Sequence, residues 1–268
     1  MTEFLFMKSA ESNYVREFEA IVMETGADPS NGQYVILDKT AFYAEGPRAP
    51  CEALWIQRRM AQNGGQLTDT GVLSWENGAR QARVKLVTKK SGVKHFLALA
   101  QGEEAPQKGA VVRGILDWEN RYALMRYHTA QHLLSAAVYD LYNGAHTVGN
   151  QIYASKSRAD FYPAKFTDDD LKRIEGECNR RIALKPDVKI YEESRASLES
   201  RMPQQRANLG LLPKSVTMLR IVEIGGFDVV PCAGTHVRNL SELGKLKIIG
   251  KETKGADKER VTFVLENE

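Results

Sequence analysis

The hydrophobic period changes once along this chain, and that change restricts the folds open to it. Up to about residue 117 the apolar residues follow a strand-like rhythm. NYVREFEAIVMETG alternates apolar and polar positions, with Val15, Phe18, Ile21 and Met23 expected on a buried face. GQYVILDKTAFYAEG is rich in β-branched and aromatic residues and is bounded by glycines. Further short strands are expected in TDTGVLSWEN, ARQARVKLVTKK, VKHFLALA and AVVRGILDW. Short strands separated by turn signals point to a small barrel or sandwich. PRAPCEALWIQRRMAQN breaks the pattern and reads as a short helix inserted near 47–63. That helix is either a surface excursion packed on the barrel or an RNA-facing or partner-facing element using Arg58 and Arg59.

From about Trp118 the period becomes helical. NRYALMRYHTAQHLLSAAVYDLYN reads as a long amphipathic helix stopped by Asn-Gly. TVGNQIYASKSRADFYP reads as a strand pair. TDDDLKRIEGECNRRIALK reads as a second helix, with Thr167 as N-cap and three aspartates in its first turn. VKIYEES is a strand, and LESRMPQQRANLG a short helix broken by Pro203. VTMLRIVEIGGFDVVP reads as two strands about a Gly-Gly turn. GKLKIIGKETKGADKERVTFVLE reads as a closing hairpin. The class is α+β: an N-terminal β-barrel-like domain over 1–117, then an α+β domain with antiparallel sheet and helices over 118–268.

A chain of 268 residues with 43% hydrophobic and 26% charged residues can bury a sizeable core. Its net charge of +3 permits a nucleic-acid partner without requiring one. Three widely spaced cysteines, Cys51, Cys178 and Cys232, argue against a disulfide framework and for a reducing compartment. The N-terminus lacks the pattern of a signal peptide, and no apolar run is long enough to cross a bilayer. These features lead us to expect a cytoplasmic protein with no membrane partner.

His128 and His132 sit four residues apart in the long helix, so they project from one face a turn apart. Alone, that spacing fits a hydrogen-bonded polar pair as well as half a metal site. About one hundred residues on, VVPCAGTH places Cys232 and His236 four apart in a tight loop. Together these four side chains form a nitrogen and sulfur donor set suited to tetrahedral zinc. The competing reading is a buried core cysteine and unrelated histidines. Between the helical histidines lie Thr129, Ala130 and Gln131, none a base near neutral pH, which excludes a metalloprotease of the HExxH type.

The ordered set LDKTAFYAEG, GGQLTDTG, HTAQHLLSA, TVGNQI, SRADF and CAGTH resembles one family, over nearly the whole chain. It is similar to the AlaX proteins, free-standing relatives of the editing domain of alanyl-tRNA synthetase, in their medium-length class. A related zinc-type domain occurs in threonyl-tRNA synthetases. The resemblance implies hydrolysis of alanine tRNA wrongly charged with serine, and in some members glycine. It implies zinc on His128, His132, Cys232 and His236. It also implies that Thr40 recognises the serine side chain and that Gly64, Gly65 and Gln66 form the glycine-rich substrate-binding motif. The chain departs from the family where the 47–63 insertion separates Gly46 from Gly64.

Four protein ligands are typical of structural zinc, so the ion either anchors the amino acid by expanding its coordination or holds the site so that water is aligned. No residue stands out as general base. Asp160 in SRADF qualifies by charge, and an arginine-paired structural carboxylate is its other reading. The tRNA body needs basic residues, and Lys89–Lys90, Arg180–Arg181 and KETKGADKER are available. Two other functions stay open: a non-catalytic zinc-stabilised RNA-binding module and a zinc hydrolase of small esters. Monomer and dimer are both compatible with the sequence.

Overall fold

The alternating segments of the first half close into a barrel. The structure, a computed structural model, describes residues 2–46, 65–89, 91–203, 206, 209 and 212–267. The expected helix at 47–63 lies outside the described residues, as do Gly64 and Lys90. The chain divides into two compact units, Met1–Ala53 with Leu67–Tyr122, and Leu54–Gln66 with Ala123–Glu268.

In the first unit β1 is Glu3–Phe4, β2 Glu17–Asp28, β3 Gly32–Leu37, β4 Lys39–Thr40, β5 Gly71–Trp75, β6 Arg80–Thr88, β7 Lys94–Ala98 and β8 Val111–Leu116. Six of them close in the order β2-β3-β7-β6-β5-β8, each antiparallel to its neighbours, while β1 and β4 form a short parallel pair. Closure leaves no unpaired edge in the barrel. Phe18, Val35, Leu37, Phe42, Leu73, Trp75, Val84 and Val112 fill it. Each such side chain contributes roughly 1.5–3 kcal/mol on burial.

The face of β2 differs from the sequence expectation. Phe18, Ala20 and Val22 point inward, whereas Ile21 and Met23 are 45% and 50% exposed. A strand alternates with a period of two, so Phe18 and Ile21 cannot share a face. Beneath the barrel runs a buried ion pair. Asp69 Oδ2 accepts the Nε–H of Arg121 at 2.8 Å and the Tyr43 N–H at 2.6 Å. Arg121 Nη1 donates to the Asn13 carbonyl at 3.0 Å. The aspartate of TDTG is therefore part of the barrel's internal framework.

The long helix is α1, Trp118–Leu141. Asn143 and Gly144 end it in the left-handed region, with φ of 47° and 85°. Then follow β9 (His146–Ile152), β10 (Ser157–Tyr162), α2 (Asp168–Ala183), β11 (Val188–Ser194), α3 (Arg195–Arg201), β12 (Met218–Ile224), β13 (Asp228–Pro231), β14 (Lys245–Thr253) and β15 (Glu259–Glu266). Thr167 caps α2 in a reciprocal capping box with Asp170.

One antiparallel sheet has the order β14-β15-β10-β9 and a second β11-β12-β13. Asn179 docks α2 on β14 by bonding both the carbonyl and the N–H of Leu246, at 2.8 and 2.9 Å. Leu133, Leu134, Ala137 and Val138 of α1 are fully buried. The α+β class holds, with a closed barrel rather than a sandwich. Among the described residues no helix is long and apolar enough to cross a membrane.

Candidate metal centre

The geometry of α1 brings His128 and His132 together, and a loop brings their partners. Strand β13 ends at Pro231, and the Cys232 N–H still bonds the Arg220 carbonyl of the neighbouring strand at 3.1 Å. The chain then turns through Ala233 and Gly234 so that Cys232 and His236 face the two helical histidines. One ligand atom from each of the four residues lies within 4.8 Å of the others. Cys232 Sγ lies 3.6 Å from His128 Nε2 and 3.4 Å from His236 Nε2. Bonds of roughly 2.0–2.3 Å to a tetrahedral ion correspond to ligand-to-ligand edges of about 3.3–3.8 Å. The group is therefore spaced to hold a metal ion.

The other nitrogen of each imidazole is already engaged. His128 Nδ1 lies 2.8 Å from Gln66 Oε1. That amide is oriented, because its oxygen also accepts the Thr235 N–H at 3.0 Å while Nε2 donates to Thr235 Oγ1 at 2.9 Å. His132 Nδ1 lies 3.1 Å from Asp228 Oδ2. His236 Nδ1 lies 3.2 Å from Thr129 Oγ1, whose own proton goes to the Met125 carbonyl at 2.9 Å. All three partners thus act as acceptors, so each ring carries a proton on Nδ1 and leaves Nε2 for the cluster. Carboxylate, amide and hydroxyl acceptors behind the rings are what metal-binding histidines require.

Burial would push the Cys232 thiol up, but the three imidazoles around it outweigh burial and hold it well below its usual value. His132 feels burial too, yet the sulfur and Asp228 raise it to about 10. Burial lowers His128 and His236. A depressed thiol beside two imidazoles that burial keeps neutral, His128 and His236, is a soft, anionic donor set, and His132 would give up a proton on binding a metal.

Two glycines are needed for the assembly. A Cβ on Gly234 would fall 2.1 Å from His128 Cε1, so no larger residue fits in CAGTH without moving that ring. Gly65 has φ of 58°, and a Cβ there would meet Asn150 Oδ1 at 2.4 Å. Its carbonyl accepts the Ile152 N–H at 3.0 Å and the Gln151 amide at 2.8 Å.

The remaining expected residues fall as follows. Thr40 lies in the barrel unit on β4, buried, with its hydroxyl 2.9 Å from His95 Nε2. Asp160 is chelated by Arg260, with bonds of 2.7 and 2.9 Å, as expected of a structural carboxylate. Arg181 is buried between Asp140 and Glu177, which removes it from the surface cations. Lys89 lies over the Phe4 ring. The sequence reading missed Asp228 and Thr129 as partners of the histidines. A signal for Asp228 existed, an acid four residues before Cys232, whereas Thr129 had none beyond its place beside His128.

Comparison with known proteins is consistent with this arrangement. The family model described as threonyl and alanyl tRNA synthetase second additional domain matches residues 219–262, which include Cys232 and His236. An alanyl-tRNA editing protein AlaX-M of Methanosarcina acetivorans is 34% identical over 268 residues, 99% of each chain. Another AlaX-M, of Saccharolobus solfataricus, is 32% identical over 267 residues, again 99% of each. An alanine–tRNA ligase of Thermofilum pendens is 36% identical over 245 residues, 90% of this chain but 24% of the ligase.

Proposed function

The chain belongs to the AlaX-M family of alanyl-tRNA editing proteins, and from that premise we propose that it deacylates, in trans, alanine tRNA mischarged with serine or glycine. The observation that carries the reading is the His128, His132, Cys232 and His236 cluster, in a chain matched end to end by proteins named for alanyl-tRNA editing. The ion we assign to it is zinc, on the strength of a donor set of three nitrogens and one sulfur within 4.8 Å of one another. The partner is alanine tRNA, and the setting the cytoplasm, in keeping with unpaired Cys178 and Cys232.

Hydrolysis adds water across the ester, breaking its carbonyl carbon to oxygen bond and releasing the free amino acid and the terminal ribose hydroxyl. Zinc, when bound, supplies Lewis acidity at this site. The chain's own residues hold and orient. Gln66, Asp228 and Thr129 fix the three rings. We assign substrate binding to Gly64, Gly65 and Gln66, of which Gly65 permits close passage along Asn150 and Gln66 is tied to His128. Thr40 meets the serine side chain. None of the three imidazoles is available as general base, since each Nδ1–H is hydrogen-bonded and each Nε2 belongs to the cluster.

The test uses purified protein with alanine tRNA charged with serine, glycine or alanine, with and without a chelator. We expect release of serine, sparing of alanine, and loss of activity on chelation. No release above the spontaneous rate would leave a zinc-stabilised RNA-binding module. Equal turnover of a seryl ester lacking tRNA would leave a small-ester hydrolase. His132→Ala should lose both metal and activity, and full activity in a zinc-free protein would remove the ion from the mechanism.

A further inference from the structure

Asp160 is surrounded by more cations than it can neutralise. It sits on β10, inside the sheet β14-β15-β10-β9. Ala159, Phe161, Val261 and Phe263 fill the inner face of that sheet and are fully buried. Strand alternation puts Arg158, Asp160 and Tyr162 on the outer face, with Arg260 of β15 directly opposite Asp160. Arg260 bonds both carboxylate oxygens. Arg158 Nη1 then stands 3.8 Å from Oδ1, and Lys258 Nζ, from the turn between β14 and β15, 3.8 Å from Oδ2. At that distance the charges attract without a hydrogen bond, so both heads keep donors for another acceptor. Asp160 is only 6% exposed although it lies on the outer face, because these heads close over it. On its other flank β9 presents Gly149, which brings no charge. Glu252 lies 4.0 Å from Arg260 Nη1 and is itself paired with Lys254. Four cations thus share two carboxylates, leaving two positive charges in excess on the outer face. The whole chain carries only +3, so the excess is local.

We propose that this outer face docks the phosphate backbone of the tRNA, with Arg158 and Lys258 donating to phosphate oxygens and Asp160 holding both in place. This rests on the reading that alanine tRNA is the substrate. Neutralising phosphates with Lys and Arg releases the counterions condensed on the nucleic acid, which drives binding and makes it depend on salt. Cations held by a buried carboxylate lose less freedom on binding than lysines moving in solvent. Tyr162, exposed at the end of the same row, adds an aromatic face on which a base can stack. Fixed cations beside an exposed ring suit RNA better than an acidic peptide, which has no base to stack.

The test measures binding of uncharged alanine tRNA to full-length protein across a salt series, by fluorescence anisotropy. Arg158→Gln combined with Lys258→Gln should weaken binding about tenfold at low salt. It should also flatten the slope of log affinity against log salt by about 1.4–1.8, the value for two phosphate contacts. KM for serine-charged tRNA should rise by the same factor, with kcat within about twofold and melting unchanged. Arg158→Lys with Lys258→Arg keeps both charges and should bind nearly as the parent does. Tyr162→Ala should weaken binding and leave the slope alone, because stacking releases no counterions. Lys189→Gln with Lys214→Gln removes equal charge from other exposed positions and should cost less than about twofold. Should the first pair lower stability, Lys258→Gln alone, in the exposed turn, should flatten the slope by about half as much. Unchanged affinity and slope in the Arg158 and Lys258 variants, or an equal loss from the Lys189 and Lys214 pair, would overturn the proposal and leave the substrate reading intact. No tRNA binding and no serine release by the unaltered protein would overturn the substrate reading, and this proposal with it.

Discussion

Removing the carboxylate behind His132 should loosen the metal without unfolding the site. Asp228 is 4% exposed, and its Oδ2 lies 3.1 Å from His132 Nδ1. Of the three acceptors behind the rings it alone is charged. Hydrogen bonds to charged groups are worth about 1.5–3 kcal/mol, against roughly 0.5–1.5 kcal/mol for neutral ones. At 1.4 kcal/mol per factor of ten, loss of the first kind corresponds to a weakening of about 10–100-fold. Asp228→Ala should therefore weaken zinc binding by that factor, measured by competition with a chromophoric chelator. Asp228→Asn keeps an acceptor oxygen but loses the charge, and should fall between. The turn joining β12 to β13 should persist in both, because it is closed by the Phe227 N–H to the Ile224 carbonyl at 2.7 Å and not by the Asp228 side chain. Zinc affinity of Asp228→Ala within twofold of the parent, in a protein that melts normally without metal, would refute the claim that Asp228 orients His132.

Three further outcomes follow from the same geometry. The barrel should lose stability as pH falls from about 6.5 toward 4, because the unfolded chain protonates His95 at 6.5 and the folded one at about 4. That difference is about 3 kcal/mol in full, is absent above neutral pH, and should shrink in His95→Gln when urea midpoints are compared across pH. Gly234→Ala should displace His128, costing about 1–3 kcal/mol and most of the bound metal, as read by metal analysis and melting. Asp69→Ala should destabilise the fold by about 3–5 kcal/mol in denaturant unfolding, because it leaves the Arg121 guanidinium charged and buried without its carboxylate partner.

Much of the fold was legible because local physics sets it. The period of Leu133, Leu134 and Ala137 marks α1, Thr167 and Asp170 mark the start of α2, and Gly225 and Gly226 mark the turn before β13. The inward face of β2 was misread because three-residue spacing was taken for alternation, and the strand's period of two puts Ile21 and Met23 outside. The barrel itself was expected from the sequence, but the pairing that closes it was not legible. Closure depends on pairing β2 with β8, strands far apart in the chain, and the alternation of each strand does not name its partner.

By itself the sequence determined that His128 and His132 share a helix face, because 3.6 residues per turn places positions four apart side by side. It also supplied Cys232 and His236 as a pair of matching chemistry, and the order of motifs that carries the family resemblance. Only tertiary structure decided that the two pairs meet, and how each ring is turned. Gln66, Asp228 and Thr129 reach their histidines across 62, 96 and 107 residues, and His95 reaches Thr40 across 55. A hydrogen bond depends on distance and direction in space, and neither is written in spacing along the chain. The identity of the donors is thus local, whereas the protonation and aim of each one belong to the fold.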